Sequence, residues 1–140
     1  MKENIKKEET YEHPILKGYN VRTFEEFLND LASDDALKIL NISEKTSEII
    51  KDMCKFIKYT QLRTIHNELI KGVENTADLS RIMHKFAYFQ ARQENANAKK
   101  FVEFIRLLAK AVIKQEEENL LNVYKDYLDS IVAYHKLNCN

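Results

Sequence analysis

The sequence is poor in residues that turn a chain. It holds two glycines and one proline in 140 residues, whereas a strand-rich fold needs a turn signal at roughly every tenth position. That scarcity excludes most β architectures, and two glycines cannot build a glycine-rich phosphate loop. Tryptophan is absent and only two cysteines occur, Cys54 and Cys139. They are far apart and match no metal or redox spacing, so they read as free thiols in a reducing cytosol. No run approaches the roughly 18 apolar residues that span a membrane. The Lys- and Glu-rich N-terminus lacks the apolar segment of a signal peptide. These absences lead to the expectation of a cytoplasmic protein without membrane contact.

What is present suits a helical domain. An apolar content of 44% supplies a core, and a charged content of 31% supplies a soluble surface. A chain of this length buries enough surface for one domain. The expected organisation is a flexible or loosely docked N-terminal tail over residues 1–22, interrupted by Pro14 and Gly18, followed by a single helical domain over 23–138. The expected fold is all-α, a compact bundle of five to six helices.

Local signals place the helices. Thr23-Phe-Glu-Glu26 has the form of a capping box, opening a helix that buries Phe24, Phe27, Leu28 and Leu31. Ser33 to Asp35 interrupt it, Ala36 to Leu40 continue as a further turn, and Ser43 is the next expected cap. The helix from Ser43 turns Ile49, Ile50, Met53 and Phe56 or Ile57 inward. Leu62, Ile65, Leu69 and Val73 recur at helical spacing beyond Thr60, which allows either a break at Thr60 or one long helix. Gly72, Asn75 and Thr76 mark a stop and restart. Leu79, Ile82, Phe86 and Phe89 form the next inner face, and a helix from Ala98 to about Gln115 follows. The glutamates Glu116 to Glu118 suit the positive end of the last helix.

The formal net charge is zero, but the charges are segregated. Residues 1–50 have a net charge of −4, residues 51–115 of +7 and residues 116–140 of −3. A basic middle between acidic ends suits a surface that meets a polyanion. Within it, Arg81, Lys85, Tyr88 and Arg92 share one side of a helix, beside the apolar stripe and with no acidic residue among the four. Arginine offers phosphate a planar fork and lysine a point charge, while an exposed tyrosine stacks on a base. Lys51, Lys55 and Lys58 form a second row, followed by Arg63. In a third row, from Lys99 through Arg106 to Lys110 and Lys114, Glu103 supplies local pairing. Lys99 and Lys100 sit at a helix start, where the dipole disfavours cations. The competing reading for each row is a solvated face whose long stems cover apolar neighbours.

Catalytic patterns are thin. His13, His66, His84 and His135 form no HxxxH or ExxH pair, and no serine elbow or Cys–His arrangement is visible. The expectation is a protein that is not an enzyme and holds no metal or cofactor.

Four segments carry a resemblance. The closing run Ile131-Val-Ala-Tyr-His-Lys136, the segment Lys85-Phe-Ala-Tyr-Phe-Gln-Ala-Arg92, the Thr60-x-Leu62-Arg63 helix and the Phe101-x-x-Phe104 helix occur in order over roughly Thr60 to Lys136. Together they resemble the small subunit of type III-A CRISPR effector complexes, the Csm complex. Phe86 and Phe89 replace the smaller residues typical there, and Gln90 and Ala91 stand where small residues and glycine are common. The resemblance implies a compact helical, non-catalytic protein that stacks in several copies for antiviral defence. Its implied partners are guide RNA and target RNA, contacted independently of sequence, together with the backbone and large subunits. Carried over by position, Lys85 and Arg92 are the first candidates for RNA contact, and Arg63 is next. Arg81, Tyr88, Lys58, Lys99 and Lys100 follow from the surface argument alone. Tyr134, His135 and Lys136 are expected to pack or cap the last helix. The rival reading is a stand-alone helical protein-interaction module with no RNA role.

Overall fold

The computed structural model of the chain describes residues 10–139, and every regular element among them is a helix. In order they are α1 (Pro14–Gly18), α2 (Phe24–Leu31), α3 (Ala36–Met53), α4 (Tyr59–Gly72), α5 (Thr76–Arg81), α6 (Met83–Ala91), α7 (Ala96–Gln115) and α8 (Glu118–Asn138). The all-α class holds, but the count exceeds five to six. One excess helix is α1, which lies in the stretch expected to be a tail. The other arises because the helix expected across Leu79 to Phe89 breaks at Ile82 into α5 and α6.

Side-chain caps account for most helix starts. Thr23 Oγ1 accepts from the Glu26 N–H at 3.0 Å and Glu26 Oε1 accepts from the Arg22 N–H at 2.9 Å, a capping box shifted by one residue on its return arm. Asp35 caps α3 by accepting from the Lys38 N–H at 3.1 Å, so α3 begins well before Ser43. The Ser43 hydroxyl is committed elsewhere, to the Tyr134 hydroxyl. Asn75 and Asn95 cap α5 and α7 through their side-chain oxygens. The chain does break ahead of Thr60, through a turn at residues 54–58, and α4 starts at Tyr59 without a side-chain cap.

The core forms around α7, whose Ala98, Phe101, Val102, Phe104, Ile105, Leu108, Ala109 and Val112 are all buried. Phe104 is its hub, with the rings of His13, Tyr19, Phe24, Phe27 and Tyr127 between 5.6 and 6.4 Å away. Edge and tilted contacts dominate, as ring quadrupoles favour. Residues 10–22 are docked onto this cluster: Leu16 is fully buried, and Glu12 Oε1 accepts from the Phe24 N–H at 2.9 Å.

Helix α8 packs between α3 and α4. Its direction relative to α3 follows from paired side chains: Ser43 meets Tyr134 and Ser47 meets Asn138, so the two helices run parallel. Against α4 it runs antiparallel, with Ile57 beside His135, His66 beside Asp129 and Val73 beside Lys125. The parallel arrangement brings the ends of α3 and α8 together. Cys54 and Cys139 are joined there as a disulfide, Cα atoms 5.2 Å apart, which corrects the reading of two free thiols. No helix among the described residues is long and apolar enough to cross a membrane.

Candidate nucleic-acid interface

The basic middle of the chain folds into α4 to α7, and its most structured surface lies between α4 and α6. These two run antiparallel, since Glu68 meets Lys85 at one end and Gln61 meets Gln93 at the other. Each sends its apolar stripe inward, Leu62 and Leu69 from α4, Phe86 and Phe89 from α6. The helices touch only lightly, and an open groove of about 570 Å³ remains between them. Thr60, Gln61, Thr64, Ile65 and Glu68 line its α4 side, and His84, Lys85, Tyr88, Phe89 and Arg92 its α6 side.

Three sequence candidates therefore share one wall. Lys85, Tyr88 and Arg92 project from α6 and its C-cap at helical spacing. Tyr88 is 66% exposed, and the Arg92 guanidinium lies 5.6 Å from its ring centroid, a cation–π placement. Arg92 enters none of the ion pairs among the described residues. Lys85, by contrast, donates to the Glu68 carboxylate across the groove. No acid falls among the four stripe residues, but Glu68 arrives from another helix and pairs with Lys85.

The remaining candidates are dispersed. Arg81 ends α5, beyond the break at Ile82, and donates to Asp78 Oδ1 one turn back at 2.8 Å. The four-residue stripe is therefore not continuous on one helix. Arg63 lies away from the groove, donating to the Tyr59 hydroxyl at 2.7 Å, while Lys136 Nζ sits 5.2 Å from the centroid of the same ring. Lys58 precedes α4, and Lys99 and Lys100 lie exposed near the start of α7. Lys100 is close enough to His13 to help lower its pKa.

The closing run of α8 packs as its pattern indicates. His135 is buried and its Nε2–H donates to the Ile57 carbonyl at 2.7 Å, and Tyr134 meets Ser43. Lys136 differs, reaching back over Tyr59 beside Arg63. His66 Nε2 is 3.1 Å from Asp129 Oδ1, within ion-pair reach but not aligned as a hydrogen bond. Among the described residues no group of three metal-ligating side chains gathers.

The family model described as Csm2 Type III-A matches residues 33–140. The chain belongs to the Csm2 type III-A family. Membership makes it a small subunit of the type III-A CRISPR Csm complex, and the matched span runs from just before α3 through α8, so it contains the whole α4–α6 groove. No curated protein and no solved structure matches the chain. Sequence reasoning missed Thr64, Glu68 and His84 as groove residues. Their register on α4 and α6 places them on exposed faces, but nothing local to either helix says that the two faces meet.

Proposed function

We propose that this Csm2 family member is a non-catalytic subunit that binds the backbone of target RNA, and of the guide–target duplex, without reading sequence. It acts in the cytoplasm, in several stacked copies beside the backbone and large subunits, through its helical domain. The observation that carries the RNA reading is the α6 wall: Arg92 held over an exposed Tyr88, beside Lys85, with no ion pair to a carboxylate among the described residues. An arginine oriented on an aromatic ring loses little freedom when a phosphate accepts its fork. Base pairing supplies specificity in RNA-guided complexes, so the protein need grip only phosphate and shape. Each copy grips weakly, and copies aligned on one strand add through avidity. Lys58, Arg63, Arg81, Lys99 and Lys100 widen the electrostatic field.

Filter binding of single-stranded RNA at two salt concentrations tests this. With about three phosphates neutralised per copy, log affinity falls against log salt with a slope of about −2. Arg92→Glu lowers affinity and flattens the slope. Glu68→Gln frees Lys85 and raises affinity a few-fold. A salt-insensitive interaction, or full retention by an Arg92→Glu, Lys85→Glu protein that circular dichroism shows to be folded, overturns the reading. One observation favours the rival of a protein-interaction module: Leu37 and Leu40, at the start of α3, are 70% and 50% exposed. A subunit within a larger assembly accommodates that apolar pair equally well.

A further inference from the structure

The α4–α6 groove has a second property besides its charge. Its floor is apolar, formed by Ile65 and Phe89, and its volume of about 570 Å³ falls in the range of small-ligand clefts, roughly 300–1,000 Å³. Tyr88 leaves most of its ring unused by the fold. On the facing helix the Thr64 hydroxyl donates to the Thr60 carbonyl at 2.9 Å, so its oxygen presents only acceptor capacity to the groove. The charge is unevenly placed. Near Thr60 stands Arg92, in no ion pair among the described residues, whereas at the other end Lys85 is neutralised by Glu68.

A ligand that satisfies all of this has a flat aromatic body, hydrogen-bonding groups on its edge, and an anion at one end only. A nucleotide has that constitution. An amphipathic helix would need a longer row of apolar anchors at one-turn intervals, and here the apolar floor is two side chains flanked by hydroxyls. We propose that the groove receives one unstacked nucleotide of an RNA strand, its base against Tyr88 and Ile65, its edge toward Thr64 and its phosphate on Arg92. Resting on the RNA reading above, this adds a base-sized subsite to what is otherwise a backbone contact. Stacking tolerates any base, because every base has a π-face, so the subsite grips without selecting sequence.

The test compares the affinity of the full chain for a short oligoadenylate with that for an abasic RNA of the same length. Wild type is expected to prefer the base-bearing strand by about tenfold. Thr64→Trp, which fills the groove from an exposed position, and Tyr88→Ala should each abolish that preference. Circular dichroism of each variant should match wild type, so that a lost preference reports on the groove and not on the fold. Equal wild-type affinity for the two strands overturns the subsite and leaves the RNA reading standing. Failure to bind either strand overturns both. A Thr64→Trp protein that keeps the base preference but no longer associates with neighbouring subunits assigns the groove to protein contact, and also overturns the proposal.

Discussion

Tyr19 shows how single side chains knit distant parts of this chain together. Its hydroxyl lies 2.7 Å from Thr46 Oγ1 and 2.8 Å from the Tyr127 hydroxyl, while Thr46 Oγ1 donates to the Ile42 carbonyl at 2.7 Å. Thr46 has one proton and spends it on Ile42, so Tyr19 must donate to Thr46 and Tyr127 to Tyr19. The result is a one-way relay across α1, α3 and α8 in which each buried hydroxyl has a partner. Burial pushes the Tyr19 hydroxyl up to about 12, and that of Tyr127 well above its usual value, so the relay stays protonated under ordinary conditions. Tyr19→Phe keeps the ring but removes both hydrogen bonds of the Tyr19 hydroxyl, to Thr46 and to Tyr127. The expected loss is about 1–3 kcal/mol of unfolding free energy, measurable by urea titration. An undiminished midpoint would show that water replaces the relay. None of this was legible in the sequence, because hydroxyls 108 residues apart carry no shared period.

At the scale of elements, α1 depends on one histidine. His13 caps it, with Nδ1 accepting from the Ile15 N–H at 3.1 Å and Nε2–H donating to Glu103 Oε1 at 2.9 Å. Both bonds suit a neutral ring, since a proton on Nδ1 would face the Ile15 donor. Burial lowers the His13 pKa below its ordinary 6.5, Lys100 acts in the same direction, and Glu103 opposes them without prevailing. A folded pKa below the unfolded value means that stability is fully present above pH 6.5. It is lost as pH falls through the folded value. Unfolding titrations at falling pH should show this acid loss, and His13→Asn, which retains a capping oxygen, should remove that part of the pH dependence. The helices themselves were largely legible. Phe24, Phe27, Leu28, Leu62, Leu69, Leu79, Phe86 and Phe89, expected inward from helical periodicity, are all buried. Boundaries were less so: Asp35 rather than Ser43 caps α3, and nothing in the apolar period marks the step at Ile82. Of the interface, the Lys85–Tyr88–Arg92 wall follows from spacing on one helix. The Glu68 pairing and the groove do not, since both require α4 to be placed against α6.

For the molecule as a whole, the disulfide adds a covalent constraint to these long-range contacts. Cys54 and Cys139 close a loop with a sequence separation of 85, and loop-closure entropy assigns such a cross-link about 4.5 kcal/mol. Reductant should lower the denaturant midpoint of the wild-type protein, Cys139→Ser should reproduce the reduced value, and reductant should leave that variant unchanged. Reduction of the bond would release the covalent hold of the end of α8 on the end of α3. The sequence by itself determined the helical class, most of the buried faces and the segregation of positive charge into the middle of the chain, because these depend on relations within a few turns of one helix. Only the tertiary structure decided which cations remain unpaired, where a groove opens and which cysteines meet. Those outcomes depend on side chains that no local period connects, brought together by the parallel packing of α3 with α8 and the antiparallel approach of α4 to α6.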